Sequence, residues 1–413
     1  MIRNLILTML TVLLANLVLP VARADVWETK KQWGDSDDLA FGQWIKALPL
    51  DVFTAADSRY KGISTDCAKA VYVLRMIFAY ENGLPVNFAT HKGLRLSNDN
   101  KDFDHLPAGL PRLMKFMSFV KQHVDTRTLV YDSYPVKIDR QFVRSGAIFL
   151  HPHTQDAPIT YQAGHVYFIQ DVYENGMVRY FSSTVPSAVR DLQPRIDITF
   201  APFAKTGGFR AWKRPYSNEQ PGFDDVDQFS LAKWRPNAWR DGRLWTKWAQ
   251  AIRRRLQLRV ATVEEELNAK IENLDGYVKE RTQLVERSWS FYQRKYKGLE
   301  CMNASDYDAY STPTRDVKIQ NELMDLKYAA VNYLMSTTGT WSEQAIQELF
   351  SRYQWQVLSG VSVDLNHLWT TFETKVVLAI SEPEHSPEVR WGLQPQGAWP
   401  CPERAKQYRG SGG

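Results

Sequence analysis

The stretch GISTDCAKAVYVLRMIFAYENGLP, residues 62–85, predicts a long amphipathic helix with a cysteine in its first turn. Ser64, Thr65 and Asp66 are favourable N-cap residues, and Gly83 followed by Pro85 is a typical stop signal. Apolar residues recur at helical spacing after Cys67, and the cysteine lies on the same face. We therefore expect the thiol to point into the protein at a helix N-terminus, where the helix dipole lowers the thiol pKa.

The first residues are typical of a secretory signal peptide. Arg3 precedes an apolar run, residues 5–20, and Ala22-Arg23-Ala24 is a small-x-small cleavage site. We therefore expect residues 1–24 to be removed and the protein to be periplasmic or secreted. The apolar run is short for a bilayer span and no later stretch is long enough, so no transmembrane segment is predicted.

Composition indicates sizeable hydrophobic cores and gives no sign of a nucleic-acid partner. Of 413 residues, 44% are hydrophobic and 14 are tryptophan. The formal charge is +5, and removing residues 1–24, which hold two arginines and no acid, leaves +3. So weak an excess does not indicate binding of nucleic acid. The length allows two or three domains.

The three cysteines leave one odd thiol in an oxidising compartment. Cys301 and Cys401 lie in loop-like sequence, and we predict a disulfide between them that closes a loop of about 100 residues. Cys67 is then free. A free thiol risks side reactions in such a compartment, which favours a functional role for Cys67.

The sequence of residues 144–202 predicts several β-strands. The segments RSGAIFLHPH, GHVYFIQDVYENGMVRYFSSTVPS and RIDITFAP are rich in β-branched and aromatic residues. Asn175-Gly176 predicts a two-residue hairpin turn. A loop-like stretch follows and suggests a domain boundary near residue 225. We therefore expect an α+β domain over residues 25–225.

Residues 226–381 are predicted to form an all-α helical bundle. Two long segments keep close to a 4-3 apolar spacing, and further helices are expected over 342–358 and 363–380. The residues with this spacing are Leu267, Ile271, Leu274, Val278, Val285, Trp289 and Tyr292, then Ile319, Leu323, Leu326, Ala330 and Tyr333. Residues 382–413 are expected to form a Pro/Gly-rich C-terminal tail. A protein partner is one candidate ligand of the bundle.

A cysteine nucleophile needs a base from elsewhere in the fold, and His165 is the candidate. It opens a predicted strand directly after Gly164, in AGHVYFI. The motifs TDCAKAVYVLRMIFAYENGLP, SGAIFL and GHVYFI, in this order, resemble the papain-like NlpC-type cell-wall peptidases. The resemblance covers roughly residues 60–190.

The resemblance implies a papain-like fold for the domain over residues 25–225. It also implies that Cys67 is the nucleophile and His165 the general base. The reaction would be hydrolysis of an amide bond through a thioester, with peptidoglycan stem peptides as the expected substrate. This mechanism requires no cofactor.

The family usually has a third polar residue, often histidine, on the strand after the catalytic histidine. A two-residue turn at Asn175-Gly176 would place Thr184 and Ser182 on the face of His165. We therefore predict that one of these hydroxyls orients the imidazole. The alternatives are a bulge that brings in Ser183 or a group from another loop.

Two other groups of residues suggest ligands. His151 and His153 could bind zinc together with His165 or Asp156, although no HExxH spacing occurs. The tryptophans and arginines of residues 234–255 could stack sugar rings, attract acidic wall polymers or contact anionic lipid. The simpler interpretation is a buried apolar side and a solvated charged side. The residues concerned are Trp234, Trp239, Trp245, Trp248, Arg253, Arg254 and Arg255.

Two further functions compete with the peptidase. A transglutaminase-like enzyme or amidase could act on another periplasmic peptide or amide substrate. Those families favour a tryptophan soon after the histidine and an aspartate on the next strand, and neither occurs in GHVYFIQDV or MVRYFSST. A catalytically inactive cell-wall-binding or scaffold protein is the other alternative. In that case Cys67 is an inert core residue, His165 is a structural histidine and Asp66 is simply a helix cap.

Overall fold

The structure is a computed structural model of the chain, and it describes residues 25–151, 164–197, 206–225, 228, 242–298, 300–373, 380–397 and 401. The predicted signal peptide, residues 1–24, lies outside these ranges.

The described strands β3 to β8 form a six-stranded antiparallel sheet in the order β3-β8-β4-β5-β6-β7. Two small hairpins, β1-β2 and β9-β10, lie outside this sheet. The strands are β1 (Asn87–Ala89), β2 (Arg95–Ser97), β3 (Ser133–Pro135), β4 (Ile148–His151), β5 (His165–Val172), β6 (Val178–Ser182), β7 (Gln193–Ile196), β8 (Gly208–Trp212), β9 (Gln354–Leu358) and β10 (Val361–Asp364).

Helices precede and follow the sheet along the chain, and the C-terminal part of the chain is mostly helical. The helices are α1 (Asp35–Ala47), α2 (Cys67–Asn82), α3 (Leu110–Lys121), α4 (Leu129–Asp132), α5 (Gly242–Leu256), α6 (Val263–Tyr296), α7 (Ala304–Tyr310), α8 (Pro313–Thr338), α9 (Glu343–Phe350), α10 (Leu365–Glu373) and α11 (Pro387–Arg390), with a 3-10 turn at Lys101–Phe103. The predicted α+β content and the helical character of the C-terminal region are thus confirmed.

Helix α2 begins and ends where the sequence predicts. The Asp66 side chain accepts a hydrogen bond from the Lys69 backbone N–H, which satisfies one of the free donors of the first turn. Gly83 ends the helix in the left-handed conformation, with φ of 62°. Most side chains of α2 are buried, so the helix lies in the core instead of on the surface.

Each face of the sheet carries its own hydrophobic core. On one face Ile148, Leu150, Val166 and Phe168 pack in a core that also contains much of α2. On the other face, aromatic residues of β4, β6 and β8 pack against α5 through Trp248, Ile252 and Leu256. The sheet therefore separates the N-terminal helices from the helices that follow residue 242. The boundary predicted near residue 225 falls next to residues that the structure does not describe.

The long helices α6 and α8 pack against each other through the predicted 4-3 positions. Leu274, Val278 and Val285 of α6 share a core with Ile319 and Leu326 of α8, and all five are at most 1% exposed. The Thr262 hydroxyl and the Glu265 side chain form a capping box at the start of α6. The predicted spacing is confirmed in this part of the chain.

The region predicted as all-α contains a β-hairpin, so the prediction of a helix over 342–358 is wrong beyond α9. Strands β9 and β10 pair across Ser359-Gly360, where Gly360 has φ of 73°. Trp355 and Val357 alternate with exposed glutamines, which is the period of a strand. A tight turn that requires a positive φ overrides the helical pattern here.

The segment predicted to be a tail is packed against α6 and α8 where the structure describes it. Trp391 is 0% exposed, and Glu382 and Arg390 are also buried. A disulfide joins Cys301 to Cys401, and Cys67 is free and buried, as predicted. The C-terminal segment is thus held by burial and by a covalent bond.

The described helices include none that is both long and apolar enough to cross a membrane.

Candidate functional site: Cys67, His165 and the surroundings of Arg75

The Cys67 thiol is buried and protonated at neutral pH. Cys67 is the first residue of α2 and is 7% exposed. Burial, with the charge of Asp66 as the second cause, raises the pKa of the thiol to about 12. Backbone hydrogen bonds, one of them to Val166, oppose this rise. The expectation of a lowered pKa is therefore wrong, because loss of hydration outweighs the field of the helix N-terminus.

The His165 imidazole is partly buried and neutral. His165 opens β5, its Nε2 lies 3.3 Å from the Ser182 hydroxyl, and its ring centroid lies 4.4 Å from that of Tyr167. Burial, followed by the positive charge of Lys318, lowers the pKa of His165 to about 3. The imidazole therefore has the neutral form of a general base, but it is a very weak one.

The thiol and the imidazole lie on opposite faces of the sheet. Successive side chains of a strand point to opposite faces. In β5, Val166 packs in the core that contains Cys67. His165 alternates with Val166 and contacts Tyr167, which packs on the other face. No hydrogen bond joins Cys67 to His165 in the described part of the chain, so the structure does not bring the predicted pair together.

On its own face His165 lies near charged residues from the C-terminal helices. The groups that influence its pKa include Lys318 of α8 and Glu280 of α6. Glu280 is paired with Arg315 at 2.8 Å and with Arg195 of β7 at 3.1 Å. His165 therefore belongs to the contact between the sheet and the helical region, in an arrangement that suits a structural histidine.

Of the three candidate hydroxyls, Ser182 is the one that contacts the imidazole. Ser183 is turned to the other side, where its hydroxyl bonds with the side chain and the backbone of Thr65. Thr184 follows the end of β6 and is partly exposed. Among the described contacts, one of the predicted hydroxyls lies beside His165 and none lies beside Cys67.

The register of the β5-β6 hairpin differs from the predicted one. The Tyr173 N–H donates to the Met177 carbonyl, so three residues form the loop instead of two, and Gly176 has φ of 79°. A bulge between Ile169 and Asp171 shifts the register once more. Three-residue loops that end in a left-handed glycine are the next most favourable hairpin connection, and sequence alone did not distinguish the two.

The described residues contain no group of three side chains that could hold a metal ion. His151 is buried and pairs with His165 across β4 and β5. His153 and Asp156, the other residues of the zinc prediction, lie outside the described ranges. The zinc site stays a prediction without support from the geometry.

The predicted tryptophan and arginine surface is only partly described. Trp248 is buried against the sheet, and Arg253 pairs with Asp197 at 2.8 Å. Arg254 and Arg255 are exposed. Trp234 and Trp239 lie outside the described ranges, as does the Trp245 side chain. For the described residues, the simpler interpretation of a buried side and a solvated side applies.

Sequence reasoning missed Arg75, a charged residue in the buried centre of α2. It is 2% exposed, and it lines two neighbouring cavities of about 280 and 480 Å³ that also share Trp212 and Arg214. An arginine within the otherwise apolar run VYVLRMIFAY is the signal that could have found it.

Comparison of the chain with known protein families, with curated proteins and with solved structures found no match.

Proposed function

We propose that this chain is an exported cell-wall-binding protein that does not hydrolyse the wall through Cys67. Its α+β domain would be a papain-like module without thiol catalysis. The observation that carries this proposal is the position of the two side chains, with Cys67 on one face of the sheet and His165 on the other.

The electrostatics of both groups support the same conclusion. Thiol catalysis requires a thiolate and a base within hydrogen-bond reach of each other. Burial raises the pKa of Cys67 to about 12 and lowers that of His165 to about 3. Transfer of the thiol proton to the imidazole would therefore be strongly uphill in this arrangement.

Export and the choice of the cell wall rest on other features. The sequence of residues 1–24 and the Cys301–Cys401 disulfide are compatible with an oxidising compartment outside the cytoplasm. The resemblance of the motifs around Cys67 and His165 to wall peptidases suggests the polymer. A peptidase that uses these two residues remains the alternative, and it requires His165 to cross to the other face of the sheet.

Purified peptidoglycan sacculi provide the test. The mature protein should sediment with sacculi, and mass spectrometry of the supernatant should show no muropeptides above a blank without protein. Cys67→Ala should bind to the same extent, because the thiol contributes only to packing in this proposal.

Muropeptide release by the wild type that disappears in both Cys67→Ala and His165→Ala would contradict the proposal and support the peptidase. Absence of sedimentation would contradict the choice of the wall as ligand. Thermal unfolding of both variants provides the control for folding.

A further inference from the structure

Arg75 is a buried guanidinium without a hydrogen bond. Its Cζ lies 3.3 Å from the ring centroid of Trp33 and 4.6 Å from that of Phe41. An arginine has five N–H donors, yet none of the hydrogen bonds of the described residues involves Arg75. Burial lowers the pKa of Arg75 to about 10, so the group is still charged at neutral pH.

Other buried arginines of this protein do have acceptors. Arg112 is 6% exposed and donates to the carbonyl oxygens of Asp25, Asp104 and Leu106. Arg210 is 4% exposed and donates to Ser133 and to backbone carbonyls. A buried donor without an acceptor is costly, so the lack of a hydrogen-bond acceptor at Arg75 requires an explanation.

The nearest carboxylate does not provide that acceptor. Asp38 Oδ1 lies 3.6 Å from the Arg75 guanidinium, beyond hydrogen-bond distance. The other oxygen of Asp38 accepts a hydrogen bond of 2.9 Å from Arg214. Asp38 therefore balances part of the Arg75 charge without accepting a hydrogen bond from it, and Arg214 also pairs with Asp35 and Glu219.

Two more residues that line the same cavity as Arg75 have an unpaired polar atom. The larger cavity, of about 480 Å³, is lined by Arg75, Trp212 and Asn87. Trp212 Nε1 and Asn87 Oδ1 are both buried, and neither has a hydrogen-bond partner among the described residues. Three residues around this cavity, two with a donor and one with an acceptor, thus lack a hydrogen-bond partner. The size of the cavity lies in the range of small-ligand pockets.

The charge of the cavity favours an anion. Arg95, Lys213 and Arg214 line it in addition to Arg75, and Asp132 is the one acidic lining residue. The Asp132 carboxylate is already occupied, because it accepts hydrogen bonds from the Tyr72 hydroxyl, the Ala89 N–H and Arg95. Asp132 is therefore not available as the acceptor for Arg75.

We propose that this cavity binds the free C-terminal end of a peptide. The terminal carboxylate accepts hydrogen bonds from Arg75 and Trp212, and the last amide N–H of the peptide donates to Asn87. A carboxylate with a neighbouring N–H supplies the partner that each unpaired atom lacks, whereas an anion without a donor, such as sulfate or chloride, leaves Asn87 unpaired. The inference rests on the proposed function only for the source of the peptide, which would be the stem peptides of the wall.

Isothermal titration of the full mature chain with matched dipeptides tests this assignment. The probes are N-acetyl-D-Ala-D-Ala and N-acetyl-L-Ala-L-Ala, each as the free acid and as the C-terminal amide. At least one free acid should bind, and its amide should bind more weakly by about tenfold or more because the charged acceptor is lost. Arg75→Met should abolish binding, whereas Arg127→Met, which removes an exposed arginine outside the cavity, should not alter it.

Folding is checked in the same samples. Without peptide, Arg75→Met should keep a cooperative thermal unfolding transition, because methionine fills much of the same space beside Trp33 and Phe41. If this variant fails to fold, Trp212→Phe removes the indole N–H, keeps an aromatic ring and should weaken binding of the free acid.

No binding of either free acid, equal affinity for acid and amide, or unchanged binding by Arg75→Met would overturn the inference. Sedimentation with sacculi without dipeptide binding would leave the proposed function intact and remove this ligand. Dipeptide binding that depends on Arg75, together with a failure to sediment with sacculi, would support this ligand and contradict the proposed function.

Discussion

Replacement of Asp316 by leucine is expected to lower the free energy of unfolding by about 3–5 kcal/mol, the usual cost of breaking a buried ion pair. Asp316 Oδ1 accepts a hydrogen bond of 2.6 Å from Arg281 Nε, and both side chains are 0% exposed. Asp316 Oδ2 accepts hydrogen bonds from the Thr312 and Ser381 hydroxyls. The change leaves the Arg281 charge buried, and it removes a contact that joins α6, α8 and the C-terminal segment.

Chemical denaturation at pH 7 measures this effect. Asp325→Leu is a matched control on the same helix, since Asp325 is 61% exposed and pairs with Lys270 at 3.0 Å. It should cost about 1 kcal/mol or less, as exposed ion pairs do. The double variant Arg281→Met/Asp316→Leu should regain much of the loss. Equal losses in Asp316→Leu and Asp325→Leu would show that the buried pair has no special role.

Removal of the Cys301–Cys401 disulfide by Cys301→Ala/Cys401→Ala is expected to lower the free energy of unfolding by about 2–5 kcal/mol. The two residues are 100 positions apart, so the bond closes a long loop in the unfolded chain. The unfolding midpoint in denaturant gives the measurement. Addition of a reductant should destabilise the wild type and Cys67→Ala equally, and it should have no effect on the double variant. A midpoint that is insensitive to both changes would contradict the expected contribution.

Local signals in the sequence were sufficient for the elements that carry Cys67 and the disulfide. The Asp66 cap and the Gly83 stop define α2 at both ends, and both are short-range effects. Cysteine parity was enough to pair Cys301 with Cys401. The 4-3 spacing predicted α6 and α8, because each helix has one continuous apolar face.

The relative position of Cys67 and His165 could not be predicted in this way. It depends on which face of β5 packs against α2, and both faces of that strand are apolar or aromatic. Val166 and Phe168 lie on one face, whereas His165 and Tyr167 lie on the other. A strand with polar residues on one face reveals its orientation, but a strand buried on both faces does not.

The β9-β10 hairpin and Arg75 were missed for different reasons. Trp355 and Val357 fit both a helical and a strand pattern over so short a run, and the turn at Gly360 decides between them. Arg75 lies in a strongly apolar helix, and the apolar pattern of its neighbours predicts a core helix without indicating a role for the arginine. That its guanidinium lacks a hydrogen-bond acceptor is a property of the packed structure and has no signature in the sequence.

The rate at which iodoacetamide alkylates Cys67 in the folded protein tests most directly whether the thiol and the imidazole are separated. Burial raises the thiol pKa from its ordinary value of 9.0 to about 12, so the thiolate fraction at neutral pH should be about a thousandfold lower than for an ordinary cysteine. We therefore expect slow labelling that rises with pH up to the alkaline limit of folding and is unchanged in His165→Ala. Rapid labelling at pH 7 or below that is lost in His165→Ala would instead show that the two groups form a reactive pair, and it would contradict the non-catalytic assignment.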